Sequence, residues 1–417
     1  MAKTKVTKAI IVWFKSIKKW QIIDSAAVLV ISSISIFISL TLSAKCPDIL
    51  YEEYNIWFGA DINRVFSNIA NYDSINLNRA HLHPIFSLLI FPIVQFLKFF
   101  EISSLGAAYF LVSLSGALVS SLIYITLRYQ AIPILSCLLG SFVFLCSGAF
   151  IFWWSVIETF PIGAATISIV FVMLSMKIRT KWIWILGTAL TLSMTITNSI
   201  VGILGAAFTF NRIKAIKILS IGFISVLLLY IVQSFVFMDS KPSDPRAEFV
   251  AESVYLQGPK STSELPQYFR KYTSRTIDFL ISPAVVSQTK SKISKKNQNT
   301  NIRLSPFKCY LISWLSIGCW SVLLFVGLLK VLRSWKTKTF TKVLLSFVLF
   351  QFLLHLFYGD HPFLYSAHYF PALVIIASNS LNGKHEKVFQ LVAFVFCVTA
   401  LYSNIGNFNH AMLLLQK

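Results

Sequence analysis

Arg79-Ala80-His81-Leu82-His83-Pro84-Ile85-Phe86-Ser87-Leu88-Leu89-Ile90-Phe91-Pro92-Ile93-Val94-Gln95-Phe96-Leu97-Lys98-Phe99-Phe100 decides the fold. Whether its apolar half crosses a bilayer sets the orientation of everything after it. Residues 84–100 number 17, fewer than the roughly 20 that span a hydrocarbon core of about 30 Å. Pro92 interrupts the run, and Ser87, Gln95 and Lys98 lay a narrow polar stripe at helical spacing. Charge parity decides between the alternatives. If the segment stays on one side, spans at 105–127, 131–149 and 159–176 put Arg128 and the Lys177-Ile178-Arg179 turn in the cytosol, as the positive-inside rule requires. If it crosses, both basic turns land outside. The expectation is therefore a helix lying in, or dipping into, the external interface.

Working outward, the chain reads as an all-α polytopic membrane protein. It has 417 residues, of which 56% are hydrophobic and only 13% charged, and its apolar runs recur at membrane-crossing length. Residues 1–19 are basic and 24–44 apolar, so the N-terminus is expected in the cytosol on a retained first span, too long for a signal peptide and without a small-residue cleavage site. The net charge of +21 mostly punctuates the apolar runs. No compact basic module collects it, so nucleic acid is not expected as a partner. The cysteines lack metal-ligand spacing, and four of them (Cys137, Cys146, Cys319 and Cys397) lie inside apolar runs; a Cys46–Cys309 disulfide stays open.

The remaining segments follow in order. Residues 182–210 are expected as two short limbs meeting at the polar tip Thr195-Ile196-Thr197-Asn198-Ser199. A span at 219–238 leads to a long external segment, 239–306, rich in Ser, Lys and Pro. Then come a span at 307–331, limbs at 344–358 and 367–380, and a last span at 388–403. The total is about eleven transmembrane or short re-entrant segments. They group as an N-terminal module, 1–238, with its first external loop at 45–104; the long loop, 239–306; and C-terminal spans, 307–417. No internal repeat favours an inverted-repeat transporter.

The chemistry collects on the external side. Trp57-Phe58-Gly59-Ala60-Asp61-Ile62-Asn63-Arg64 carries an acid that can act as a general base on a hydroxyl or hold a divalent cation, the plainer alternative being a solvated loop acid. Glu158 is the only acid between Glu101 and Asp239 and sits where a span begins, either facing a cavity or resting in interfacial water at a helix N-terminus. His81 and His83 alternate, which on an extended chain puts both on one face to pair with phosphate or a metal; His83 capping the interface helix is the alternative. Arg64, Arg79, Arg270, Lys271 and Arg275 are candidates to hold a phosphate through charge-assisted hydrogen bonds. Asp360, His361, Tyr365 and His368 form a second dense tip. No Walker loop, dinucleotide fingerprint or nucleophile elbow is present.

The acid in Trp57-Phe58-Gly59-Ala60-Asp61 shortly after a first span, followed by an apolar helix that His83-Pro84 opens, resembles the GT-C superfamily of polytopic glycosyltransferases. A second acid in a short external loop, matched by Glu158, and the late segment Phe363-Leu364-Tyr365-Ser366-Ala367-His368-Tyr369-Phe370-Pro371 extend the likeness. The resemblance implies a bacterial inner-membrane enzyme with its active site on the periplasmic side. It would transfer a sugar from a polyprenyl-phosphate donor to a hydroxyl of a glycan or lipid-linked acceptor, with Asp61 as base and Glu158 orienting sugar or acceptor. A metal requirement stays open, since the first loop lacks the paired acids of some members. A transporter or flippase, to which the 195–199 break would belong, and a polysaccharide polymerase or ligase remain alternatives.

Overall fold

A computed structural model describes residues 22–72, 79, 81–237, 246, 250, 252–256, 258, 264–293, 300–304, 310–359 and 361–416. The expected cytosolic N-terminal residues, Asp360 and Cys309 lie outside them. The helices are α1 (Ile22–Ser43), α2 (Ile49–Glu52), α3 (Ile62–Ala70), α4 (Phe86–Lys98), α5 (Ser104–Tyr129), α6 (Ile134–Leu145), α7 (Gly148–Trp153), α8 (Thr159–Ser175), α9 (Lys181–Met194), α10 (Ser199–Thr209), α11 (Arg212–Val236) and α12 (Leu265–Leu280). A hairpin of β1 (Thr289–Ile293) and β2 (Thr300–Leu304) precedes α13 (Leu311–Arg333), α14 (Thr339–Phe357), α15 (Ser366–Ser378) and α16 (Glu386–Leu415).

Among the described residues, α1, α5, α11, α13, α14 and α16 are long and apolar enough to cross a membrane. The total of about eleven is not confirmed, because the other apolar helices are shorter. The long helices turn large apolar side chains outward, Phe37, Phe235 and Phe325 among them, as lipid contact demands. Their hydroxyls face inward and pair between helices: Ser39 with Ser113 at 2.9 Å joins α1 to α5, and Ser316 donates to Thr399 at 2.8 Å between α13 and α16.

The helix Phe86–Lys98 has 13 residues, about 20 Å at 1.5 Å per residue, too short to cross upright. It packs on α3, α5 and α11. Gln233 of α11 fixes its start: the amide accepts from Leu88 N at 3.0 Å and donates to the Pro84 carbonyl at 2.9 Å. The two short limbs are α9 and α10, joined through the tight turn Ile196–Asn198. This tip is stitched to the start of the short helix by Ile196 N to Leu82 O, 3.0 Å, and Ile85 N to Ser193 O, 3.3 Å. Each limb's polar end thus meets protein, not lipid.

Two expectations are corrected. The fold is not wholly α: β1 and β2 pair antiparallel, Thr289 opposite Leu304. The segment reads as a polar loop because Lys and Ser outnumber apolar residues, yet Ile302 is fully buried and pairs in parallel with Trp57. The last helix also does not stop at residue 403 but runs to Leu415. Asn404 and Asn407 look like terminators in sequence, but both are fully buried. The Asn404 amide accepts from Val286 N at 2.9 Å and donates to the carbonyls of Cys146 and Ala284 at 3.0 and 2.9 Å, while Asn407 donates to Val286 O at 2.7 Å. Backbone bonds from Gly148 and Ala149 to the Ala284 and Pro283 carbonyls complete the seam. Residues 283–286 therefore form a buried strap whose orphan backbone groups are satisfied by α16 and the α6–α7 joint.

The Asn404→Leu substitution tests this seam. It strands the Val286 amide and takes one donor from each of the Cys146 and Ala284 carbonyls, the latter keeping Gly148, and an unsatisfied buried group costs about 1–3 kcal/mol. Thermal unfolding in detergent should shift clearly downward, whereas Asn409→Leu at the partly exposed neighbour should not; equal midpoints would show that the strap is not held by this side chain.

Candidate active site

An aromatic anchor positions the site. Trp57 is fully buried and Phe58 nearly so, stacked or edge-on to Phe152, Trp153, Phe363 and Phe408 with ring centroids 5.3–6.1 Å apart. The Trp57 indole also donates to the Phe152 carbonyl at 3.3 Å. Such contacts join the first loop, α7, the 362–365 turn and α16. Immediately afterwards the chain must reverse. Phe58 and Gly59 take positive φ angles of 54° and 80°, a conformation glycine accepts freely and Phe58 adopts only because its ring is held.

That reversal delivers Asp61 to the N-cap position of α3, but its side chain makes no capping bond. The carboxylate instead accepts from Arg64 Nη2 at 3.1 Å and Arg79 Nη1 at 2.9 Å. Arg64, three residues on, shares the helix face. Glu158 lies beside them, 3% exposed. Its Oε1 accepts the Asp61 backbone N–H at 3.0 Å and its Oε2 accepts the Thr159 N–H at 2.6 Å. Burial raises its pKa first and the Asp61 charge second, with Arg64 opposing. The carboxylate therefore acts as a clamp between the two acid-bearing loops.

On the far side, Glu252 of the long segment faces Arg79 at 3.6 Å and His81 at 3.5 Å and accepts the Tyr358 hydroxyl. The backbone of this segment is tied down by Gly359 N to Tyr255 O, 3.1 Å. Together these residues enclose a cavity of about 710 Å³ lined by Asp61, Arg64, Arg79, His83, Glu158, Thr195, Glu252, Tyr255, His355, Tyr358, Tyr365 and His368, with Phe160 on its apolar wall. The helix order puts the basic turns at Arg128, Lys177 to Lys181 and Arg333 to Lys338 at the opposite end of the bundle.

Not every candidate converges. His81 and His83 do not share a face, because Arg79 at φ 43° starts a tight turn in which Leu82 and His83 both donate to the Arg79 carbonyl. His81 reaches Glu252, whereas His83 bonds the Met194 carbonyl at 2.7 Å. Burial, then the Arg64 charge, pushes the His83 pKa down to about 3, so it is neutral and structural. Arg275 is buried and its guanidinium donates to the carbonyls of His355, Tyr358 and Gly359. It terminates α14 and does not reach the cavity. Arg270 is exposed on α12, Lys271 stands over the Tyr268 ring at 5.5 Å, and His361 contacts Arg303 at 2.9 Å; none of them lines the cavity.

Glu252, Tyr255, Tyr358 and His355 were not singled out in sequence. The last had a readable signal, an ionisable residue late in an apolar run. Cys46 is a free thiol directed at the Ser155 and Leu42 carbonyls. Among the described residues no three His, Cys, Asp or Glu side chains gather as a metal-ligand set.

No protein-family model and no curated protein matches the chain. Among solved structures it is similar to the oligosaccharyltransferase of Archaeoglobus fulgidus in its apo form, at 11% identity and a TM-score of 0.45, over 93% of this chain and 56% of that one. The same enzyme tethered with an acceptor peptide containing the NVT sequon matches at 12% identity and a TM-score of 0.39, over 93% and 55%. The chain thus spans little more than half the length of that enzyme.

The Glu252 contacts have a defined pH response. The His81 hydrogen bond, opposed by burial and aided by Tyr358 and Arg79, holds the Glu252 carboxyl below its ordinary 4.5. An acid with a depressed value stabilises the closed arrangement above its ordinary pKa and ceases to do so as pH falls through the depressed one. A spin label on Val254→Cys should be restrained at neutral pH and gain mobility progressively below pH 4.5, while adding Glu252→Gln should mobilise it throughout. A label indifferent to both would detach Glu252 from closure.

Proposed function

We propose that this protein is a membrane glycosyltransferase that moves a sugar from a polyprenyl-phosphate donor to a hydroxyl of a glycan or lipid-linked acceptor, working on the periplasmic side of a bacterial inner membrane. The observation that carries the reading is the Asp61–Arg64–Arg79 cluster, an acid and two guanidinium forks lining a half-open cavity, in a fold whose neighbouring helix Phe86–Lys98 is too short to cross upright. The forks match the oxygens of a phosphodiester. The short helix leaves Phe96, Phe99 and Phe100 exposed, an apolar surface along which a polyprenyl tail can be received from lipid.

The chemistry follows from these groups. Asp61 takes the proton of the acceptor hydroxyl as its oxygen attacks the anomeric carbon, and the bond from that carbon to the phosphate oxygen breaks with its electron pair going to the lipid phosphate. Arg64 and Arg79 neutralise that leaving group, and the oxocarbenium-like charge develops in a site largely shielded from water. Glu158 positions Asp61 through its backbone.

Asp61→Asn tests the reading. General-base catalysis is typically worth about 10²–10⁴-fold, so transfer from a polyprenyl-phosphate sugar should fall by that range. Because the substitution also loosens the hold on both arginines, Arg79 keeping Glu252, donor affinity should hold or tighten. Arg79→Ala should instead weaken donor binding, by about 1.5–3 kcal/mol if it makes a charge-assisted contact. Lipid movement without any change in the sugar's covalent attachment would replace the enzyme with a flippase.

A further inference from the structure

Consecutive spans joined by a short turn usually pack against each other, but α13 and α14 diverge. They meet at their turn, where the Ser334 and Thr341 hydroxyls lie 3.0 Å apart. Beyond it α13 packs on α15 and α16, and α14 packs on α10, α12 and α15. A cleft of about 890 Å³ is left between them. Its inner end is closed by α12: Phe279 lies edge-on to Phe352 at 5.4 Å, and the Trp320 indole donates to the Leu280 carbonyl at 2.7 Å. The walls are apolar, with Leu345, Val348, Leu349 and Phe352 of α14 facing Leu332 of α13. Leu332 and Leu349 are half exposed, so the cleft opens sideways, on the surface where the long helices turn apolar side chains to lipid.

The outer end of the cleft carries charge. Arg333, Trp335 and Lys336 line it at the turn. Both cations are exposed, and neither pairs with a carboxylate among the described residues. No Asp or Glu stands in the sequence between Asp278 and Asp360. Lys330, one turn earlier, is by contrast spent on the carbonyls of Ser380 and Asn382. Two open cations at the mouth of an apolar slot complement an anion attached to a hydrocarbon chain. The depth of the slot narrows the choice of chain. From Leu345 to Phe352 the α14 wall rises about 10 Å at 1.5 Å per residue, less than the roughly 15 Å that one leaflet contributes to the hydrocarbon core. One acyl chain fits that depth; a polyprenyl chain is far longer. The turn also lies at the end of the bundle opposite the active-site cavity, so a headgroup here belongs to the other leaflet.

We infer that the cleft between α13 and α14 is a binding site for an anionic phospholipid, with its phosphate held by Arg333 and Lys336 and one acyl chain laid along the apolar walls. Trp335 stands at the level of the headgroup, as aromatic residues do at a membrane interface. The bound chain fills a gap that the protein leaves in its own helix packing and braces α12 against α14. The site is separate from the cavity at Asp61 and does not depend on the proposed reaction.

Native mass spectrometry of the full chain, stripped of lipid in a neutral detergent and titrated with phosphatidylglycerol or phosphatidylcholine of matched acyl chains, tests the site. Phosphatidylglycerol should bind about ten- to thirtyfold more tightly than phosphatidylcholine, as two interfacial cations warrant. Arg333→Gln combined with Lys336→Gln should erase that preference and leave phosphatidylcholine affinity unchanged; both side chains are exposed, so the fold is not at stake. Ser346→Phe, which adds bulk inside the cleft, should weaken both lipids, and Leu349→Phe repeats the test should that variant fold poorly. Equal affinity for the two lipids, a preference that survives the loss of both charges, or binding indifferent to the filled cleft overturns the site. Displacement of the lipid by equimolar inorganic phosphate would mark a bare anion site, and displacement by equimolar polyprenyl phosphate a donor site; either result overturns the assignment as well.

Discussion

The burial of Trp57 and Phe58 among aromatic rings from three distant segments is the constraint on which the site depends. No single ring pair is strong, at about 0.5–1.5 kcal/mol beyond area burial, but the cluster joins the first loop to α7, the 362–365 turn and α16 at once. Only a loop held at that point can carry the positive φ angles of Phe58 and Gly59, and only that reversal turns Asp61 into the cavity. The parallel pairing of Trp57 with Ile302 adds the hairpin to the same anchor. Glu158 then converts proximity into register, because its two oxygens accept backbone N–H groups from both acid-bearing loops.

The membrane supplies a second constraint, the requirement that buried backbone groups find partners inside the protein. It explains why the broken limbs at Ile196–Asn198 and the strap at 283–286 are stitched by Leu82, Ile85, Asn404 and Asn407 and not left to solvent. The polar stitches fall where the helices are interrupted, and the cavity opens at the same level. Irregular backbone and functional space thus share one region of the bundle.

This also explains what could be read in the sequence. The shortness of the helix at Phe86–Lys98 was legible because the length of an apolar run is a coarse quantity, insensitive to the details of packing. Asp61 and Arg64 were legible as an acid and a cation in one external loop, though not as a pair on a helix, and Glu158 as a lone acid in a long apolar stretch. Arg79 reaching Asp61 across 18 positions, and Glu252 reaching Arg79 from a Ser- and Lys-rich segment, depend on tertiary routing that no local pattern encodes. The histidine alternation failed because one positive φ at Arg79 converts an extended reading into a turn. Asn404 and Asn407 misled for a physical reason as well: Asn is a poor helix former unless its amide is spent on tertiary partners, and partners of that kind are invisible locally.

On the glycosyltransferase reading, the Asp61–Arg64–Arg79 cluster contains its own order of events. The two guanidinium forks that hold the Asp61 carboxylate are the ones a lipid phosphate would use. An arriving phosphodiester therefore competes with Asp61 for the same donors, and each fork turned toward it leaves a carboxylate lone pair open to an incoming proton. The exchange keeps the number of anions per arginine low in a partly buried cavity, where uncompensated charge is costly. An empty site keeps its base paired, and a loaded site exposes it only while the leaving group is being neutralised. Glu158 stays fixed throughout, since backbone amides and not arginines occupy its oxygens. The separation of a fixed clamp from an exchangeable acid lets two carboxylates in adjoining positions do different work.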